Sequence, residues 1–213
     1  MTVDLGGVTT VLLPGSGSDD GYVYRAFSGP LQQAGAVLIA HRPQPAHLID
    51  GYLAALDTAA AQYGPIAAGG VSIGAAVATA WALRHPGRVI AVLAALPAWT
   101  GSPETAPAAQ AARNCADQLR RDGLPVVTAQ LRASSPAWLA DELTRSWAIQ
   151  WPQLPDALAE AAAYVAPSRA ELRTLGMPLG VAAAVDDPVH PLQIAAEWVA
   201  AAPRAALRTV TLD

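Results

Sequence analysis

The chain has 213 residues, 53% of them apolar and 14% charged, which suits one well-buried domain and excludes a disordered chain. A net charge of −4 speaks against a nucleic-acid surface, and a basic complement made wholly of arginine excludes lysine Schiff-base and P-loop chemistry. The single cysteine, Cys115, excludes an internal disulfide and any multi-cysteine metal site.

Residues 8–13 are β-branched and apolar, which predicts a buried strand. It runs into Pro14-Gly15-Ser16-Gly17-Ser18-Asp19-Asp20, a loop whose small residues let backbone N–H groups approach a ligand. Ser18 or Asp19 can cap a helix through Tyr22, Val23, Ala26 and Phe27, which Gly29-Pro30 should break or kink. A second strand is expected over residues 36–40, left at His41-Arg42-Pro43. Leu48, Tyr52, Ala55, Leu56 and Ala59 share one helical stripe. Strands over 66–71 and 88–96 flank a helix over 73–85, which Pro86-Gly87 stops. Near-continuously apolar strands that alternate with helices belong to a parallel sheet covered on both faces.

From Thr100 to about Gly176 the rhythm changes to helices. One spans residues 108–121, one opens at Ser135-Pro136 and carries Trp138 to Trp147, and one covers 156–164. Ser168-Arg169-Ala170-Glu171 is a capping box for a last short helix that Gly176 ends. Alternation resumes with a strand over 179–185, a helix through Ile194 and Val199, and a strand over 206–212. The N-terminus has neither the basic region nor the long apolar run of a signal peptide, and no stretch approaches a membrane span. The expectation is a soluble, cytoplasmic protein without nucleic-acid or membrane partners; a homodimer is left open.

The chemistry centres on Gly70-Val71-Ser72-Ile73-Gly74, a G-x-S-x-G between an apolar strand and an alanine-rich helix. A sharp strand-to-helix turn leaves no room for Cβ atoms beside the serine, and the two glycines meet that demand. Such a turn lifts Ser72 Oγ above the carboxyl edge of the sheet and aims the positive end of the helix at whatever sits over it. The motif alone also matches an incidental glycine-rich turn. The strand before it and the helix after it favour a nucleophile elbow.

With the loop Leu12-Leu13-Pro14-Gly15-Ser16-Gly17 and the segment Ala184-Val185-Asp186-Asp187-Pro188-Val189-His190-Pro191, the elbow resembles the α/β-hydrolase fold over nearly the whole chain. The resemblance implies about six mostly parallel strands with helices on both faces. It also implies a core of residues 1–99 and 177–213 and a helical lid over about 100–176, between the sixth and seventh strands of the family scheme. Ser72 becomes the nucleophile and Asp187 the catalytic carboxylate, with Asp186 a turn residue. Oxyanion donors are expected from the Ile73 N–H and from Ser16 or Gly17. Family loops often begin His-Gly where this chain has Pro14-Gly15, which removes a side chain that buttresses the loop.

A serine hydroxyl needs a base to take its proton, and that imidazole needs a carboxylate to fix its tautomer. The family places the histidine after the last strand, and none stands there. His85 lies at the far end of the elbow helix, a surface position, and His47 near a helix start, a solvated one. His41 borders the cleft, but from a strand displaced from the usual position of the base. His190, three residues after Asp187 in a loop of the site, is the candidate base, against a packing or substrate-lining role. Should His190 be the base, Asp187 need not orient it, and Glu104 is an alternative acid.

Trp99, Trp147 and Trp151, with Trp138, read either as the core of the helical insertion or as an apolar wall over Ser72. Cys115 reads as buried, without the histidine that would make it nucleophilic. No metal or cofactor is called for. The expected activity is hydrolysis of small, fairly apolar esters or thioesters, with a small-molecule acyl substrate held on Ser72. The alternatives are a catalytically silent binding protein, motivated by the missing terminal histidine, and non-hydrolytic acyl chemistry such as cyclisation, condensation or lyase reactions.

Overall fold

Six apolar runs, among the described residues, assemble into one sheet in the computed structural model, which describes residues 3–212. The strands are β1 (Thr9–Leu13), β2 (Val37–Ala40), β3 (Ile66–Val71), β4 (Val89–Ala95), β5 (Leu179–Ala184) and β6 (Ala205–Val210). They lie in the order β2-β1-β3-β4-β5-β6, and every neighbouring pair is parallel. Side chains alternate across a strand, so Val11 and Leu13 enter one core and Leu12 the other. On Leu12's face, helix α1 (Asp20–Gln33) contributes Val23 and Leu31. On the opposite face, α2 (Leu48–Tyr63), α3 (Ile73–Arg84) and α9 (Leu192–Ala201) build the main core around Tyr52, Trp81 and Trp198. No helix among the described residues is long and apolar enough to cross a membrane.

Pro30 does not break α1, which runs on to Gln33. A proline loses the N–H that would bond four residues back and crowds the carbonyl there, but only three more residues follow before the helix closes at the Ala34 cap. Asp19 is the N-cap, its Oδ1 accepting from the Tyr22 N–H at 2.8 Å.

Between β4 and β5 stand α4 (Pro107–Asp122), α5 (Leu124–Ser134), α6 (Ala137–Gln150), α7 (Leu154–Ala163) and α8 (Arg169–Leu172). The sequence reading has no counterpart of α5. Its Gly123-Leu124-Pro125 start resembles a turn, yet proline in the first helical turn loses nothing, because the N–H there has no acceptor. The capping box at Ser168 is present, but α8 ends at Leu172 and reaches Gly176 only through hydrogen-bonded turns at Thr174 and Leu175. The insertion has its own core of Ala116, Leu119, Val127, Trp147, Leu154 and Leu158. Its α7 is tied to the sheet domain by Glu160, whose carboxylate accepts from the Leu48 and Ile49 N–H groups that open α2.

Candidate active site

The turn after β3 puts Ser72 at φ 55° and ψ −116°, a strained conformation for a residue with a side chain. Its N–H is fixed on Ala95 O of β4 at 2.9 Å. The glycines on either side are required by contact. A Cβ on Gly70 would meet the Leu13 carbonyl oxygen and lie 2.7 Å from the Gly74 carbonyl carbon, and one on Gly74 would lie 2.7 Å from Pro14 O. Ser72 therefore projects over the carboxyl edge of the sheet, at the head of α3.

The loop between β5 and α9 comes over the same edge. Asp187 Oδ1 accepts from the Val189 N–H at 2.8 Å and the His190 N–H at 3.1 Å, which folds the loop back on itself. Its Oδ2 lies 2.8 Å from His190 Nδ1, and His190 Nε2 lies 3.0 Å from Ser72 Oγ. An ionised carboxylate only accepts, so Nδ1 carries a proton and neutral Nε2 is left to accept from the serine hydroxyl. Burial would raise the Asp187 pKa, but the hydrogen bond and electrostatic attraction of His190 and the two backbone donors outweigh it and hold the carboxyl below its ordinary value. One loop thus carries both the imidazole and the carboxylate that orients it.

The other candidates lie elsewhere. Glu104 is exposed, with its backbone N–H on the Ser102 hydroxyl. His47 is exposed, whereas His85 is half-buried at the far end of α3, stacked on Trp81 with Nδ1 2.9 Å from Trp81 O. His41 packs edge-on against Tyr52, and burial lowers its pKa. Asp186, expected to cap its own turn, bonds outside it, and the loop's turn contacts fall to Asp187. Asp186 Oδ1 accepts from the Leu212 N–H at 3.0 Å and draws Leu212, beyond the last strand, into the wall of the site.

Behind Ser72, the loop Gly15–Asp19 is held at successive points. Tyr52 Oη donates to Pro14 O at 2.9 Å from a fully buried position, which supplies the buttress that the Pro14-Gly15 opening lacks. The Ser18 N–H closes a turn on Gly15 O at 3.0 Å, and Gln150 Nε2 donates to Ser18 O at 3.0 Å. Among the described residues, no acceptor is found for the N–H groups of Ser16, Gly17 or Ile73, the last opening α3. Those are the three positions the sequence suggested as oxyanion donors. Tyr52 reads in sequence only as part of an apolar stripe, and nothing there signals the partner of its hydroxyl.

A cavity of about 490 Å³ opens over Ser72. Trp99, Leu139, Leu143, Trp147 and Leu158 give it an apolar wall. Trp151 is not part of it: α6 ends at Gln150, and the cap residue turns 39% exposed to solvent. Trp138, on the same helix, lines the cavity instead. Cys115 also lines it, half-buried, its thiol pushed up to about 11 by burial.

No protein-family model matches the chain, and no curated protein matches it in sequence. Solved structures do. A hydrolase from Oleispira antarctica superposes with a TM-score of 0.76 at 14% identity, covering 98% of this chain and 84% of its own. An enol-lactonase from Burkholderia xenovorans gives 0.75 at 18% identity over 96% and 83%, and a thermophilic esterase from Thermogutta terrifontis 0.70 at 19% over 97% and 82%. The chain has the α/β-hydrolase fold. Within that fold the site occupies the carboxyl edge of the parallel strands, with the imidazole delivered one strand earlier than in the usual arrangement.

Proposed function

We propose that this α/β-hydrolase-fold chain is a serine hydrolase of small, apolar carboxylic esters, lactones or thioesters, working through an acyl-Ser72 intermediate. The observation that carries the reading is the line Ser72 Oγ–His190 Nε2, 3.0 Å, and His190 Nδ1–Asp187 Oδ2, 2.8 Å, at the floor of an apolar cavity. Similar folds include an esterase and an enol-lactonase, which supports an ester or lactone carbonyl as the reacting group.

In this reading Ser72 Oγ attacks the carbonyl carbon as its proton passes to His190 Nε2, and Asp187 stabilises the imidazolium that forms. The oxyanion lies against the N–H groups of Ile73 and of Ser16 or Gly17, each donor lowering the barrier by about 3 kcal/mol. His190 then returns the proton to the leaving alcohol or thiol. Water, deprotonated by the same imidazole, releases the acid and restores Ser72. The walls of Trp99, Leu139, Leu143 and Trp147 favour an apolar acyl or leaving group and exclude bulk water from the acyl-enzyme. The binding-protein alternative rested on a missing base, and with His190 beside Ser72 no observation favours it.

The test is intact mass after incubation with a fluorophosphonate, together with turnover of short p-nitrophenyl esters and thioesters. One adduct and measurable turnover are expected for the native chain, both lost in Ser72→Ala. Native protein that is folded yet takes no adduct and hydrolyses none of these substrates would overturn the reading.

A further inference from the structure

The insertion helix α6 does more than roof the cavity. Three of its side chains reach the loop Gly17–Asp19 at consecutive residues. Trp147 packs on Gly17 so closely that a Cβ there would lie 2.8 Å from the indole Nε1. Gln150, 2% exposed, donates to Ser18 O at 3.0 Å and to Ser146 Oγ at 2.8 Å. Arg145 closes a two-pronged ion pair on the buried Asp19 carboxylate, which also caps α1, and braces Glu142 on its own helix. Glu142 in turn takes a fork from Arg25 of α1. These long side chains join α6 to the loop and to α1.

We propose that Arg145 and Gln150 are positioning residues for the oxyanion loop: α6, seated by these two contacts, sets where the Ser16 and Gly17 N–H groups point. The proposal rests on the hydrolase reading. From Pro14 to Asp19 the loop is anchored at Pro14 O, Gly15 O, Ser18 O and the Asp19 carboxylate, and among the described residues no acceptor is found for the Ser16 and Gly17 N–H groups that lie between those anchors. Two of those four anchors come from α6. A peptide plane released at Ser18 rotates the adjoining N–H groups, and a donor is useful only within hydrogen-bond reach of where the oxyanion forms. A substrate that unseats α6 therefore meets a misaligned oxyanion site even with Ser72, His190 and Asp187 undisturbed.

Gln150→Met keeps the length and removes the donor, and Gln150→Leu removes it while keeping a branched end. Arg145→Lys keeps the charge and loses the fork on Asp19. For each, kcat and KM for a p-nitrophenyl ester are measured beside the Ki of an alkyl boronic acid, which forms a tetrahedral adduct on serine, and the Kd of the carboxylic acid product. Expected is a fall in kcat of about 10-fold to 100-fold with KM within about 3-fold. The boronate Ki should rise in parallel, the product Kd stay within about 3-fold, and Gln150→Met and Gln150→Leu should match. Native kcat in Gln150→Met and Arg145→Lys, or losses confined to KM and product binding, would overturn the proposal and leave the hydrolase reading intact. Native protein with neither turnover nor a Ser72-dependent boronate complex would remove both.

Discussion

At Ser72 stability and geometry pull in opposite directions. The φ of 55° that lifts Oγ toward His190 is one that a residue with a Cβ adopts only under strain, while glycine adopts it freely. Ser72→Gly should therefore abolish turnover and yet stabilise the fold by about 1 kcal/mol, a rise of roughly 2–4 °C in Tm for a chain this long. Calorimetry of the two proteins at one pH decides it, and a Tm below native would refute stored strain. Asp187 poses a second residue-scale question. Asp187→Asn keeps the size but turns an acceptor into a group that can donate, so His190 can settle into the tautomer with Nε2 protonated. The expected loss in kcat is about four orders of magnitude with KM nearly unchanged, read from steady-state kinetics on a p-nitrophenyl ester. Leu212 supplies the contrast. It lies where the family's base would come from, and as a wall residue its change to alanine should move KM by about 3-fold and leave kcat alone.

Element by element, the site depends on how three βα loops meet at one sheet edge, and they were unequally legible. The elbow is local: its glycines, serine, strand and helix are contiguous, so Ser72 and Ile73 could be read directly. The pairing of His190 with Asp187 was half legible, since a three-residue spacing allows one turn to present both side chains but cannot place them 118 residues away from their target. Trp151 was misassigned because it is the residue that caps α6 after Gln150, where the chain leaves the helix and its side chain faces solvent, not the cavity. Arg145 and Gln150 read as an ordinary polar helix face, and only tertiary contact makes them anchors. Tyr52 belongs with these hidden residues. Its hydroxyl holds Pro14 O in a fully buried place, so Tyr52→Phe leaves a carbonyl without a donor. A stability loss of about 1–3 kcal/mol should accompany a fall in kcat, checked by urea unfolding alongside kinetics. Phe at native stability and native kcat would mean the buttress is idle.

For the whole molecule, the fold's response to acid follows from which carboxylates its tertiary contacts commit. Asp19 is the most consequential, because it joins α1, the loop behind Ser72 and α6. Its burial would raise the pKa, but the Arg145 fork, the Tyr22 N–H and the charge of Arg25 prevail and hold it below the ordinary value. Asp187 is depressed by His190 and its backbone donors, and Glu142 by Arg25 and Arg145, in each case against burial. A carboxylate whose folded pKa lies below its unfolded one contributes stability that is complete above the unfolded value, about 4, and is lost as pH falls through the folded value. His41 adds an earlier step of the same sign. Burial keeps it neutral, so below about pH 6.5 the unfolded chain binds a proton that the folded one resists. Tm should hold steady near neutrality, sag gently below about pH 6.5 and drop steeply below about pH 4. Asp19→Asn should lower Tm at pH 7 and flatten the steep limb, because the variant has already lost what acid removes, and Arg145→Ala should do the same through the other partner. A steep limb unchanged in both variants would show that this junction does not govern acid unfolding.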